Sequence, residues 1–376
     1  MPDRILTTHA GSLPRPAQLV ESMWAKMDGA EVNAGELEHE ITAAVAEVVA
    51  KQREIGIDFI SDGEMSKPGF STYVTERFSG FGGRAEFQSD DVAPFPELAM
   101  RLFATDAMAH VVFSNCEGPV ELVDRESIHR DIATFKAALG DDAGDHAFMG
   151  SISPGQIAFN YPNHYYASHE DYLAALVDAL SYEYRTIVDA GLRLQIDSPD
   201  LAMAGHSRSV GGSITSWDQH LPLAIEAINA ALEGIPPERV RLHVCWGNYA
   251  GPHHCDVPFA DIVDEVLKAK VGTIYPEGGN PRHEHEWRVF GDIDLPDDMS
   301  VILGVIDTKT NYIEHPQVVA DRLVRVGKLI GRDRLLAGTD CGFDTFIKFS
   351  QVDPGVAWYK LQAMVEGAAL ATRELS

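Results

Sequence analysis

The stretch ELEHEITAAVAEVVAKQREIGIDFISDGE, residues 36–64, sets out in one phrase the unit from which the chain is built. Leu37, Ile41, Val45 and Val48 share one face at helical spacing, Gly56 stops the helix, and the apolar run after it predicts a strand over 58–62. The same order of amphipathic helix, glycine and strand returns in residues 170–197, where Gly191 is the stop, and in residues 317–340, where Gly331 is. Working outward from these phrases, strands are expected near 4–9, 58–62, 146–152, 193–197, 239–245, 271–277, 300–307 and 334–340. Strands alternating with helices in this way predict an α/β chain folded as a (β/α)8 TIM barrel, in a single domain over residues 1–376. The long connection after the second strand, about 65–145, has no clean helix beside its apolar run at 109–115 and is expected to be an insertion carrying a hairpin. An open doubly wound sheet is the alternative, but no G-x-G-x-x-G follows a strand.

The 376 residues are 45% apolar, enough for a large core, and no apolar run reaches the roughly 18–20 residues that span a bilayer. MPDRILTTHAG, residues 1–11, lacks the charged-then-apolar layout of a secretory leader, so a cytoplasmic protein is expected. Cys116, Cys245, Cys255 and Cys341 are too sparse for a disulfide framework and are available as thiol ligands. With 30 Lys+Arg against 57 Asp+Glu, the formal charge of −27 repels phosphate backbones and anionic lipid alike. Nucleic acid and membrane are therefore not expected as partners.

In a barrel the C-terminal ends of the strands converge on one face, so polar residues placed there meet in space. Those ends carry His9, Asp62 and Glu64, Asp197, His243 and Cys245, Glu277, Asp307 and Lys309, and Asp340 and Cys341. His243 and Cys245 are two apart on one strand and project to the same side. With Glu277 and Cys341 they make one imidazole, two thiolates and a carboxylate, a set that suits tetrahedral zinc. GPHHC, residues 251–255, is a competing ligand source through His253, His254 and Cys255. Two thiolates and a carboxylate overcompensate a dication, which makes it a poor activator of water. The same ion still holds an incoming thiol, with a free pKa of about 8.5, as thiolate. The sulfur-rich set thus favours S-alkylation of a small thiol over hydrolysis.

AGSLPRP (10–16), SDGE (61–64), QIDSP (195–199), HVC (243–245), PEGG (276–279) and DCGF (340–343) come in the order found in cobalamin-independent methionine synthases. Residues 5–345 resemble the catalytic half of that family, a zinc barrel that methylates homocysteine. The resemblance implies zinc held by His243, Cys245, Glu277 and Cys341, and Ser12, Glu64 and Asp197 around the amino-acid end of the thiol. Two features depart from the family. The additional N-terminal barrel that helps bind polyglutamyl folate is not in this sequence. Where the family has Asp-Ile-His, whose histidine protonates the departing folate nitrogen, residues 307–312 read DTKTNY, so that Lys309 follows Asp307. Lysine is a weaker acid, better suited to an anionic group or a developing oxyanion, and the pair is expected at the reacting end.

Short relatives include enzymes that take methyl from a corrinoid protein, and epoxyalkane:coenzyme M transferase, in which a zinc thiolate opens an epoxide. A sulfonate-tailed thiol would need a cation, for which Arg15, Arg208, Arg282, Arg288 and Lys309 are candidates; Arg15 lies in the same loop as Ser12. Glu64 and Asp197 point instead to an amino-acid thiol. A zinc hydrolase or decarboxylase-like barrel and a purely structural zinc are the remaining alternatives. Trp246 and the aromatic residues of FNYPNHYYA, 159–167, are candidates for the donor-side wall.

Overall fold

In the computed structural model, which describes residues 4–103, 113–140, 144–214 and 216–376, strands are short and helices long. The strands are β1 (Leu6–Thr7), β2 (Phe81–Gly82), β3 (Phe87–Ser89), β4 (Asn115–Cys116), β5 (Phe148–Ile152) and β6 (Arg193–Asp197). They continue with β7 (Ser207–Ser209), β8 (Val240–Val244), β9 (Thr273–Pro276), β10 (Ser300–Ile306) and β11 (Leu335–Thr339). Seven of them form one parallel sheet in the order β1, β11, β10, β9, β8, β6, β5. Their apolar residues are buried on both sides, as a sheet covered by helices requires.

The segment 58–62, expected as a strand, bridges the two ends of this sheet without forming a ladder. Phe59 N donates to Thr7 O at 3.0 Å, Ile60 N to His146 O at 3.0 Å and Phe148 N to Ile60 O at 3.0 Å. Side chains take the hydrogen bonds a ladder would have used. Asp58 accepts from Thr7 N at 2.8 Å, while Gln52 accepts from Ser61 N at 2.9 Å and donates to Ser61 O at 2.8 Å. The sheet is thus curled, and the fold is α/β with a TIM-barrel-like arrangement of its parallel strands.

The helix and glycine of each phrase are realised as read, and the strand follows in the second and third phrases. The helix Ala34–Ile55 is capped by Asn33 and ends at Gly56, whose φ of 89° suits a residue without a Cβ. Val45 and Val48 are buried, and Leu37 and Ile41 pack against the same core. His169–Asp189 and Pro316–Ile330 occupy the two matching positions, each followed by its glycine. The expectation for 65–145 is corrected in part. Glu126–Leu139 is a clean helix that buries Ile128, Ile132, Phe135 and Leu139 and packs on Ala34–Ile55 and His169–Asp189, as an outer helix of the barrel-like layer. Its spacing of three and four residues is legible in the sequence. Of that run, 109–112 lie outside the described residues. Asn115 belongs to β4, which pairs antiparallel with the distant β2, so the expected hairpin is not a tight one. β3 pairs antiparallel with β7, tying this region to the connection after β6. Among the described residues no helix is long and apolar enough to cross a membrane.

Candidate metal centre and cavity

His243 is on β8, Cys245 lies just past its end, and Cys341 lies just past the end of β11. One ligand atom from each falls within 4.8 Å of the others, and all three residues are buried. His243 Nδ1 is 3.1 Å from the carbonyl of Tyr275, which can only accept, so that nitrogen carries the proton. His243 Nε2 is left buried with no hydrogen-bond partner, facing two thiols. An orphaned imidazole nitrogen, with its other nitrogen anchored by a carbonyl, is the arrangement of a metal ligand. Its hydrogen bond with Cys341, together with burial, pushes the Cys245 thiol well up. Burial pulls His243 down, but Cys245, Asp197 and Glu277 outweigh it and leave the imidazole raised. A divalent cation reverses this balance by deprotonating the thiols it binds.

Glu277, just after β9, stands beside this group and is not gathered into it. Its Oε1 accepts from Trp246 N at 3.2 Å, and its Oε2 accepts from Asn280 Nδ2 at 2.7 Å and from Lys309 Nζ at 3.0 Å. Burial alone would lower the Lys309 ammonium, but Glu277, Asp340 and Asp307 hold it above the usual lysine range. Asp307 accepts from Lys309 N at 2.9 Å and from the Thr310 hydroxyl at 2.6 Å. Asp340, pushed up to about 6 by burial and then by Glu277, accepts from Gly278 N at 3.0 Å and Gly279 N at 2.7 Å. Lys309 and Asp307 therefore belong to a buried hydrogen-bonded network around Glu277, and neither is among the described residues lining the cavity below.

A cavity of about 450 Å³ opens on the cluster and is lined by His243, Cys245, Cys341, Ser12, Glu64 and Asp197. The glycines of the two loops explain how these residues meet. A Cβ on Gly342 would lie 1.9 Å from Ser12 Oγ, and one on Gly11, at φ 115°, 2.8 Å from Glu64 Oε1. Glu64 itself adopts a left-handed φ of 59°, which costs a non-glycine residue about 1–3 kcal/mol and is held by its surroundings. Asp62 accepts from Glu64 N at 3.1 Å, and Arg15 Nη2 donates to Glu64 O at 3.0 Å. Arg15 also pairs with Asp344 at 3.0 Å and donates to Lys67 O at 2.9 Å. It is thus a strut under the Glu64 turn and not a residue of the cavity wall.

Asp197 Oδ1 accepts from Gln195 Nε2 at 2.7 Å. Burial pushes Asp197 up to about 7, with His243 opposing and the neighbouring Glu64 adding. Glu64 Oε2 is buried without a hydrogen-bond partner, and among the described residues neither acid forms an ion pair. No Lys or Arg occurs among the described residues lining the cavity. Arg208 is paired with Asp90 at 2.9 Å, Arg282 donates to His254 O at 3.4 Å, and Arg288 donates to His285 O at 3.0 Å.

The far wall is phenylalanine: Phe70, Phe87, Phe113, Phe159 and Phe346. Of the aromatic residues expected there, Phe159 takes part. Trp246 is instead fully buried, stacked on His283 at 4.1 Å. Gln195 and Asn280 were not expected to bear on the site. Gln195 was findable, since it is two residues before Asp197 on one strand. The loop 251–255 does not join the cluster: His253 Nδ1 is 2.9 Å from Asp256, and His254 and Cys255 form a separate group with Asp91.

Residues 5–369 match the family model described as cobalamin-independent synthase, catalytic domain. A methionine synthase of Thermococcus kodakarensis is 25% identical, over 98% of this chain and 94% of its own length. The 2-hydroxypropyl-CoM lyase of Xanthobacter autotrophicus is also 25% identical, over 90% of this chain and 87% of its own. Among solved structures, a B12-independent methionine synthase from Shewanella sp. W3-18-1, in complex with selenomethionine, superposes with a TM-score of 0.75. It is 21% identical, with 99% of each chain covered, and supports the fold.

Proposed function

The chain belongs to the family of cobalamin-independent synthase catalytic domains, and on that premise we propose that it is a zinc-dependent S-alkyltransferase acting on an amino-acid thiol of the homocysteine class. The observation that carries this reading is the pairing, in one cavity, of a His–Cys–Cys cluster with two carboxylates that form no ion pair among the described residues. An ammonium would pair with them, and the sulfur of the same small molecule would then reach the thiol cluster. His243, Cys245 and Cys341 would hold the zinc, which when bound would supply the positive charge that favours the thiolate form of a thiol substrate. Glu64 and Asp197 bind the ammonium, while the Ser12 hydroxyl is offered to the carboxylate. Glu277, held by Lys309, Asn280 and Trp246 N, stands beside the cluster and would add a carboxylate to the residues that hold the metal. The phenylalanine wall excludes water and faces the alkyl donor. There the thiolate forms its new S–C bond as the carbon–leaving-group bond breaks and the leaving group keeps the electron pair.

The Shewanella relative's complex with selenomethionine, an amino acid bearing a methylated selenium, supports an amino-acid substrate. The 2-hydroxypropyl-CoM lyase relative supports epoxide opening as a second reading, but among the described residues lining this cavity a sulfonate tail finds no Lys or Arg. A corrinoid partner is not proposed, the family being cobalamin-independent. We further assign segment 58–62 as the eighth staves' position of a (β/α)8 barrel, supported by its bonds to both sheet ends, and place the protein in a reducing cytoplasm, where its four free thiols persist.

The test is thiol loss by the zinc-loaded chain, with homocysteine and a sulfonate thiol each offered to methyl and epoxide donors. Preference for homocysteine with a methyl donor is expected, and preference for the sulfonate thiol overturns the assignment. Because Lys309 is buried in its ion pair and does not face the donor, little turnover is expected from methylfolate. Robust methionine formation from methylfolate would mean that another group supplies the proton.

A further inference from the structure

The loop 251–255 leaves a histidine and a cysteine that the proposed reaction does not use. Cys255 Sγ lies 3.5 Å from His254 Nε2, and His254 Nδ1 lies 2.8 Å from Asp91 Oδ1. Asp91 is fully buried, although it comes from a segment 163 residues earlier, and it also accepts from His254 N at 2.8 Å and Cys255 N at 3.4 Å. Its second oxygen accepts from the Tyr249 hydroxyl at 2.7 Å and His253 N at 3.0 Å. One carboxylate thus pins the main chain of the loop, sets the imidazole tautomer and turns the free nitrogen toward sulfur. Tyr249 lines the large cavity, so the group sits behind one of its walls.

We propose that His254 Nε2 and Cys255 Sγ bind a second zinc-class divalent cation, with Asp91 as the carboxylate that orients the imidazole. Geometry carries this. Tetrahedral zinc with Zn–S of about 2.3 Å and Zn–N of about 2.05 Å places sulfur and nitrogen about 3.6 Å apart. The pair observed is already at that spacing, and carboxylate–histidine support is how such ligands are held.

Binding of the cation releases the Cys255 thiol proton to solvent. His254 is 45% exposed in its side chain, so the remaining coordination positions are open to water or to an exogenous ligand.

Equilibrium dialysis of the full chain against zinc, with metal analysis, and titration with cobalt(II), read by its sulfur-to-metal charge-transfer absorption, test the site. Wild type is expected to bind two metals per chain in two steps. Cys255→Ser and His254→Gln should each abolish the weaker step, and Asp91→Asn should weaken it about 10–100-fold. In Cys245→Ser/Cys341→Ser the weaker step should persist, and it should disappear when Cys255→Ser is added. A Cys255→Ser chain that matches wild type across both titrations overturns the proposal and leaves the loop as a hydrogen-bonded clasp. That comparison stands even if the Cys245/Cys341 variant fails to fold, and it does not depend on which thiol is alkylated.

Discussion

The two sides of the His–Cys–Cys cluster are both rich in buried acids, yet they differ in what balances them. On one side Glu277, Asp307 and Asp340 surround Lys309, and each takes hydrogen bonds from side chains or backbone N–H groups. On the other, Glu64 and Asp197 face the cavity without an ion pair, and one oxygen of Glu64 has no partner. A buried acid with its cation is part of the scaffold, whereas one without it is stabilised only when a ligand brings the charge. The comparison separates framework from binding surface where residue type alone does not.

The largest effect should come from the cluster both sides flank. Cys245→Ser or Cys341→Ser is expected to strip the catalytic metal and reduce thiol alkylation to background, checked by metal analysis beside the assay. Full metal content with full activity in both variants would remove the cluster from the reaction.

Next is the paired side. Lys309→Met leaves the acids around it buried and uncompensated, a cost of about 3–5 kcal/mol that chemical denaturation should read as lost stability. The cavity side should respond in the opposite sense. Glu64→Gln relieves a like-charge contact, so stability should hold or rise, while the KM for an amino-acid thiol rises about 10–100-fold, the loss of one charge-assisted hydrogen bond. The same thiol without its amino group should bind wild type and variant alike. Equal sensitivity of the two thiols would mean that Glu64 does not meet the ammonium.

A smaller effect follows from Asp197, raised to about 7 first by burial, with Glu64 adding and His243 opposing. Below that pH the acid is protonated and no longer attracts an ammonium. Calorimetric affinity for methionine should therefore fall by up to about tenfold per pH unit below 7, and Asp197→Asn should flatten the profile. An unchanged affinity from pH 8 to about 5.5 would show that Asp197 is not the partner.

The smallest effect concerns another compensated cation. Burial lowers His283, but Asp256 and Glu286, one on each ring nitrogen, raise it to about 9. Since the folded pKa is above the unfolded one, this contribution is whole below pH 6.5 and is lost as pH rises through about 9. Thermal melts should decline by a few degrees between pH 7 and pH 10, and less so in His283→Asn.

Alternation along one strand was enough to read His243 beside Cys245, because side-chain direction on a strand has a period of two, and the convergence of strand ends in a barrel gathered Cys341 with them. Helical spacing and glycine stops likewise revealed the outer helices, since a 3.6-residue period and a left-handed stop are local properties. Segment 58–62 was read as a strand because its apolar pattern is one. Only the fold brought the Gln52 and Asp58 side chains onto the backbone groups that a ladder would have used.

The same limit applies to charge. Sequence identified Lys309, Arg15, Glu64 and Asp197 as polar residues at or just beyond strand ends, and by itself it determined which residues are candidate ligands and that His243 and Cys245 share a face. Tertiary structure alone decided that Lys309 is spent on Glu277 and Arg15 on Asp344, while Glu64 and Asp197 are left to the cavity. It likewise placed Asp91 under His254 and Cys255 across 163 positions of chain. The physical reason is that the electrostatic state of a buried group depends on which charges fold within a few ångströms of it, and no local pattern encodes a neighbour so far along the chain.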